Sequence, residues 1–139
     1  MKCFSSVCLN KLSELISLDV SHNKIGQLGL KYLFENGLQF CRKISKLHLS
    51  AIGLQDKGIR YLINGIQQSC PKLTELNLSK NYMNSGQLLE FCKSKMLCRQ
   101  NLRYLDLSHN ELNLIVMKSL IPNIRPSLIV LNLYNSPIS

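Results

Sequence analysis

The sequence lacks several features that would assign the chain to a functional class. It has no run of 18 apolar residues, so we expect no membrane span. The opening residues MKCFSSVCLNK are interrupted by polar residues and lack the apolar core of a signal peptide. No C-x-x-C motif occurs, which argues against a structural zinc site. We therefore expect no bound metal, and no motif of the chain indicates a cofactor.

Acidic residues are scarce. The chain has 8 Asp and Glu against 17 Lys and Arg, which gives a net charge of +9. Such an excess can attract nucleic acid or acidic membranes, but only where the basic residues cluster. No aromatic residues interleave with the basic ones, as stacking on nucleotide bases requires. We therefore expect a protein partner rather than nucleic acid.

The six cysteines, in a chain without an export signal, favour a reducing compartment and free thiols. We accordingly expect an intracellular, cytoplasmic protein. Cys41 and Cys70 each lie three residues before the start of a repeat segment. Their spacing leaves a bridge between them open, although the expected compartment argues against it.

What the chain does have is a repeat. Segments of one design begin at Leu15, Ile44, Leu73, Leu102 and Leu128, the first four 29 residues apart and the last 26 residues further on. Each segment follows the frame apolar, x, x, apolar, x, apolar, with another apolar residue at offset ten. A fixed period of this length indicates a stack of similar units rather than one globular core.

Each unit changes its hydrophobic period halfway. Alternation such as Leu47-His48-Leu49 predicts a strand, and helical spacing follows it. The helix faces predicted to pack inward contain Leu30, Leu33 and Phe34, then Ile59, Leu62, Ile63 and Ile66, then Leu88 and Phe91, and finally Met117, Leu120 and Ile121. Pro122 and Pro126 are expected to shorten the fourth helix.

The frame resembles the leucine-rich repeat family, and its 29-residue spacing resembles the long, ribonuclease-inhibitor-type class. The segment SCPKLTEL at residues 69–76 is similar to the cysteine-containing subclass found in ubiquitin-ligase substrate receptors. The resemblance implies an α/β solenoid: a curved right-handed βα superhelix with a parallel sheet on its concave face and helices on its convex face. Residues 1–14 would form a partial repeat or capping helix, and residues 15–139 the repeat domain.

The resemblance also implies a structural role for three asparagines. Asn23, Asn81 and Asn110 occupy offset eight of their units, where the asparagine of this family bonds the turn backbones of adjacent units. An amide side chain suits this role because it offers both a donor and an acceptor.

The outward-pointing strand positions form the candidate binding surface on the concave face. They comprise Ser17, Asp19, His22, Lys46, His48, Glu75, Asn77, Lys80, Tyr104, Asp106, His109, Asn132 and Tyr134. Tyr104 and Tyr134 are the expected sources of binding energy, because aromatic residues dominate interface hot spots. His22 and His109 lie three units apart, roughly 14 Å at the usual strand spacing, which is too far to share a metal ion.

The excess positive charge is expected along one rim, in the helix-to-strand turns. This basic rim contains Arg42, Lys43, Lys72, Arg99, Arg103 and Arg125. It is either a solvated edge or a surface for an acidic protein.

Three functional hypotheses remain open from the sequence. The first is a non-catalytic protein–protein interaction module that binds on the concave sheet and the rim. The second is a recognition fragment of a larger regulator, such as a ubiquitin-ligase substrate receptor, an immune sensor, a small-GTPase regulator or a bacterial effector. The third is an enzyme using His48 and Asp19, although such a pair without a nucleophile is only part of a catalytic triad. Self-association through the last strand is a further expectation.

Overall fold

The computed structural model describes residues 12–136 and alternates strands with helices along the chain. The strands are β1 (Ser17–Asp19), β2 (Lys46–His48), β3 (Glu75–Asn77), β4 (Tyr104–Asp106) and β5 (Val130–Asn132). The helices are α1 (Gly26–Asn36), α2 (Gln55–Ser69), α3 (Ser85–Lys93) and α4 (Leu114–Asn123), with a short 3-10 helix at Leu38–Phe40. The capping segment expected at residues 1–14 lies mostly outside the described residues.

All five strands are parallel and follow one another in sequence order. Their register aligns equivalent positions of successive units, so Asp19 pairs with His48 and His48 with Asn77. The predicted α/β leucine-rich repeat solenoid is confirmed, with repeat positions stacked in columns.

Backbone pairing continues beyond the three-residue strands. Val20 N donates to His48 O (3.1 Å), and Leu49 N donates to Asn77 O (2.9 Å). Further along, His22 N donates to Ser50 O (2.8 Å). The apolar–polar alternation of about six residues therefore corresponds to a short strand and an extended segment that keeps the same pairing.

The repeated leucines form a continuous core between the sheet and the helices. The strand residues Leu47, Leu76 and Leu105 are fully buried, and the predicted inward residues of α1, α2 and α3 all belong to the buried core. Helices α1 and α2 approach closely, since a Cβ added to Gly65 would lie 2.2 Å from Phe34 Cγ. A glycine is required there by the aromatic ring of the neighbouring helix.

Helix α4 departs from its predicted face. Val116 and Leu120 are its buried residues, and Met117 is partly buried. Ile121 is 54% exposed, so its predicted inward position was wrong. One residue advances the helix by about 100°, which carries Ile121 past the stripe set by Val116 and Leu120.

Helices α3 and α4 begin at asparagine caps. Asn84 Oδ1 accepts from Gln87 N (3.0 Å), while Gln87 Oε1 accepts from Asn84 N (2.9 Å), which completes a capping box. Asn113 Oδ1 accepts from Val116 N (2.9 Å) at the start of α4. No helix in the described part of the chain is long and apolar enough to cross a bilayer.

One turn position has the same unusual backbone in every unit. Residues at offset seven have left-handed φ values: His22 (61°), Ala51 (52°), Lys80 (56°), His109 (56°) and Asn135 (48°). This conformation lets the backbone of each unit leave its strand toward the next helix, and asparagine and histidine tolerate it better than most residues. The sequence frame does not indicate it, because glycine is absent from this column.

Candidate functional site

A charged cluster occupies the concave face at β1, β2 and β3. Lys46 Nζ lies 3.0 Å from Glu75 Oε1, in the lateral pair expected from the register. His48 lies between two carboxylates, with Nδ1 3.8 Å from Asp19 Oδ2 and Nε2 3.9 Å from Glu75 Oε2. Both distances exceed hydrogen-bond length. His48 Nε2 is buried and makes no hydrogen bond to any described residue.

His48 differs from its equivalents in the other units. At the same offset, a side-chain oxygen accepts the backbone N–H two residues ahead in four units: Asp19 from Ser21, Asn77 from Ser79, Asp106 from Ser108, and Asn132 from Tyr134. These are local side-chain turns of the Asx type. In the second unit, Ser21 Oγ of the neighbouring unit accepts from Ser50 N instead (3.0 Å). The imidazole of His48 is therefore not used by the turn.

The turn bonds also affect the ionisation of Asp19. Hydrogen bonds from the Ser21 side chain and then from its backbone N–H lower the pKa of the Asp19 carboxyl. The nearby His48 and His22 act in the same direction, more weakly. Asp19 thus presents a stable negative charge beside exposed Ser17.

The concave face changes character at β4 and β5. Asp106 is only 6% exposed and accepts from Ser108 Oγ (2.6 Å), Tyr104 OH (3.2 Å) and Asn132 Nδ2 (3.1 Å). Burial, followed by the charge of Asp106, raises the pKa of Tyr104. Asp106 therefore orients its neighbours rather than offering a free carboxylate, and Tyr104 is half-buried.

Tyr134 is the exposed aromatic residue of this half. Its side chain is 71% exposed and meets His109 edge to face, with ring centroids 5.7 Å apart. Asn135 Nδ2 lies 3.1 Å from His109 Nδ1 and fixes the imidazole. His22, Lys80 and His109 belong to the left-handed turn column, so they lie at the end of the strands rather than on the sheet.

Cys41, Cys70 and Cys92 are buried, whereas Cys98 is half-exposed. The structure has no disulfide between Cys41 and Cys70, so the bridge that the spacing left open is not formed. Burial raises the pKa of Cys70 to about 12 and that of Cys92 to about 11. Across residues 12–136, no group of three or more His, Cys, Asp or Glu side chains is placed to hold a metal ion.

Three of the four arginines of the basic rim bond backbone carbonyls of neighbouring units. Arg42 Nη1 donates to Gln68 O (3.3 Å), Arg99 Nη2 donates to Cys70 O, and Arg103 Nη1 donates to Ser127 O (3.4 Å). Arg42 and Arg99 thus reach the C-terminal end of α2, where cations are favourable. Burial lowers the pKa of Arg99.

The rim lysines and Arg125 differ from these three arginines in what they contact. Lys43 Nζ lies 2.6 Å from Glu14 Oε2, and Lys72 and Arg125 are exposed. Much of the rim charge therefore serves the helix-to-strand turns.

The asparagine column links successive turns. Asn81 Nδ2 donates to Leu49 O of the preceding unit (2.8 Å), and its Oδ1 accepts from Ile52 N (3.0 Å). Asn110 likewise donates to Leu78 O (3.1 Å) but accepts from Met83 N (3.0 Å), two positions further along the turn. Asn23 is exposed and donates to Val20 O and Ser21 O within its own unit.

Sequence reasoning missed Tyr82, which is 85% exposed and has a left-handed φ of 52°. Tyr82 lies at offset nine, in the strand-to-helix turn of the third unit. No periodic signal marks it, because both its exposure and its backbone conformation arise from the turn.

Comparisons with known proteins agree with this architecture. Two family models, both described as leucine-rich repeat, match residues 12–34 with 69–84 and residues 101–124. A similar solved structure is the tropomodulin C-terminal domain from Caenorhabditis elegans, with a TM-score of 0.74 and 21% identity over 91% of this chain and 80% of that chain. No curated protein matches the sequence. The repeat matches support a leucine-rich repeat family, and the solved structure shows that the fold is shared.

Proposed function

We propose that the chain is a non-catalytic protein-interaction module whose binding surface is the concave face, centred on His48. Leucine-rich repeat domains generally act in this way, and the 29-residue spacing supports the ribonuclease-inhibitor-type class. The observation that carries the proposal is the charged cluster on the concave face, where His48 lies 3.8 Å from Asp19 and 3.9 Å from Glu75 and all three side chains stay partly exposed. A partner with complementary polar groups can contact this cluster without a change in the strands.

The fixed register of the sheet favours association. Asp19, His48 and Glu75 are held at set lateral positions by backbone pairing, so little conformational entropy is lost on binding. Five strands at about 4.8 Å span only ~20 Å. We therefore expect moderate affinity, since a stable interface covers about 800 Å² on each partner.

A protein partner is favoured over nucleic acid by the state of the rim. Arg42, Arg99 and Arg103 already bond backbone carbonyls. Fewer cations are left for phosphate groups, whose neutralisation dominates nucleic-acid affinity.

An enzymatic role for His48 and Asp19 has less support. Their closest nitrogen–oxygen distance is 3.8 Å, and the nearby hydroxyls of Ser50 and Ser79 bond each other at 2.8 Å. A nucleophile aligned with the imidazole is needed for triad chemistry. Assays of binding and of turnover on the unaltered chain and on His48→Ala would separate the two roles. We expect the unaltered chain to bind without turnover, so that His48→Ala changes binding alone.

A second proposal is that this chain serves as the recognition part of a larger regulator. The similar tropomodulin structure is itself a C-terminal domain and hence part of a longer protein. A ubiquitin-ligase receptor, an immune sensor, a small-GTPase regulator or a bacterial effector would each use such a part. The buried Cys70 in the SCPKLTEL segment is compatible with the cysteine-containing subclass.

Strand β5 supports a proposal of self-association. It pairs with β4 alone among the described strands, and the adjoining Ile129 is 74% exposed. An open strand edge beside apolar side chains favours pairing with a second copy. Sedimentation velocity across a concentration series tests this, with Ile129→Lys expected to keep the chain monomeric.

The experiment for the concave surface compares two charge reversals. Glu75→Lys changes the centre of the cluster, whereas Glu35→Lys changes an exposed carboxylate on α1, on the convex side. Proteins captured by the unaltered chain should also bind the Glu35→Lys variant and should be lost from the Glu75→Lys variant. Equal capture by both variants would show that the concave cluster is not the binding surface.

A further inference from the structure

Tyr82 occupies a backbone conformation that glycine would adopt more easily. Its φ of 52° is left-handed, which costs a residue with a bulky side chain about 1–2 kcal/mol. The equivalent position in the second unit is Gly53, with a φ of 72° and open space around a built Cβ. The turn itself therefore does not require an aromatic side chain. Strained positions of this kind concentrate at functional sites.

A shallow depression lies beside the Tyr82 ring at the strand-to-helix turns. Its other lining residues are His109, Asn110, Glu111 and Asn135. Asn110 is buried, and its amide is committed to the turns, so it makes a firm base. Asn135 holds His109 at 3.1 Å, and these contacts give the depression a preorganised shape.

Glu111 supplies the negative charge of the depression. It is exposed, and its Oε1 accepts from Ser85 Oγ at 3.1 Å, which orients the carboxylate. Lys80 and Lys24 line a separate depression to which Tyr82 also contributes. An aromatic face beside an oriented carboxylate matches a planar cation, which can stack on the ring and pair with the carboxylate.

We infer that this turn surface, formed by Tyr82, His109, Glu111 and Asn135, is a second docking site that takes an arginine side chain of a protein partner. It lies at the ends of the strands, so it adds to the concave face rather than repeating it. The net charge of +9 means that the overall field of the chain repels a cationic ligand. Binding of arginine therefore has to come from these local contacts.

The test uses the peptide acetyl-GRGRG-amide and the same peptide with citrulline in place of arginine. Citrulline keeps the planar shape and removes the charge. We expect saturable NMR shifts at Tyr82 and Glu111 with the arginine peptide and none with the citrulline peptide. Tyr82→Gly should weaken binding about two- to fivefold, as loss of an exposed cation–π contact implies. Glu111→Gln should weaken it as well.

Tyr82→Gly also separates lost binding from lost folding. Because glycine suits a φ of 52°, this variant should melt at a higher temperature than the unaltered chain while binding the peptide less. Glu75→Lys should bind the arginine peptide as the unaltered chain does, so that failure of the concave site and failure of this site are distinguishable. Equal binding of the citrulline peptide, or full binding by Tyr82→Gly, would overturn the inference.

Discussion

The cross-unit bonds of Asn81 give a quantitative stability prediction. In Asn81→Ala, Leu49 O loses its donor at 2.8 Å and Ile52 N loses its acceptor at 3.0 Å. Both groups lie in the buried interior between the second and third units, where water cannot replace the amide. Each unsatisfied group costs about 1–3 kcal/mol, so the variant should lose about 2–6 kcal/mol of unfolding free energy. That is a large part of the ~5–15 kcal/mol typical of a folded domain.

Asn23→Ala is the matched control for this substitution. Asn23 has the same chemistry and the same offset, but it is exposed, and its side-chain bonds to described residues go to Val20 O and Ser21 O of its own turn. Water can satisfy those carbonyls, so the control should cost less than about 1 kcal/mol.

Urea unfolding followed by circular dichroism measures the difference. With a denaturant slope of ~2 kcal/mol per molar urea, the midpoint of Asn81→Ala should fall by about 1–3 M. Asn23→Ala should shift by about 0.5 M or less. Equal midpoints for the two variants would refute the reasoning that bonds between units hold the turns together.

Three further predictions concern packing, backbone strain and thiol reactivity. Gly65→Ala should lower the melting temperature, because its Cβ would lie 2.2 Å from Phe34 Cγ in α1; the loss should correspond to ~1–3 kcal/mol of unfolding free energy. Gly86→Ala is the control at an exposed site in α3, and it should leave the melting temperature unchanged or raise it. Ala51→Gly should raise the melting temperature by relieving a φ of 52°, and a fall would contradict the assigned strain. At pH 8 a thiol with a pKa of about 12 is only ~10⁻⁴ ionised, so iodoacetamide should modify half-exposed Cys98 well before buried Cys70. Peptide mapping that finds Cys70 modified first in the folded chain would contradict its burial.

The strand register could be predicted from the sequence for a simple physical reason. Side chains alternate across a strand, and one fixed repeat length places equivalent residues side by side. Spacing alone therefore predicts that His48 lies between Asp19 and Asn77, and the structure confirms this pairing. The inward helix faces followed from the same leucine pattern in α1, α2 and α3.

The use of the side chains within the site could not be predicted in this way. Asp106 and Asp19 are equivalent in sequence, but Asp106 is buried by Tyr104 and Asn132 while Asp19 stays exposed. The difference depends on which neighbours can donate hydrogen bonds, and the repeat frame does not specify that.

The hydrogen bonds of the rim arginines and the exposure of Tyr82 could not be predicted for a related reason. Arg42 and Arg99 read as surface charge in the sequence, but their guanidinium groups reach carbonyls at the end of α2. The exposure of Tyr82 results from the path of a turn, which has no hydrophobic period.

Footprinting of the complex tests most directly whether a bound protein covers the concave face. Hydroxyl-radical oxidation would be compared, with and without the captured partner, at His48 and Tyr134 on the sheet side and at Leu28 on α1, which is 70% exposed. We predict strong protection of His48 and Tyr134 with unchanged oxidation of Leu28. Protection of Leu28 with unchanged oxidation of His48 and Tyr134 would place the partner on the helices and contradict the account.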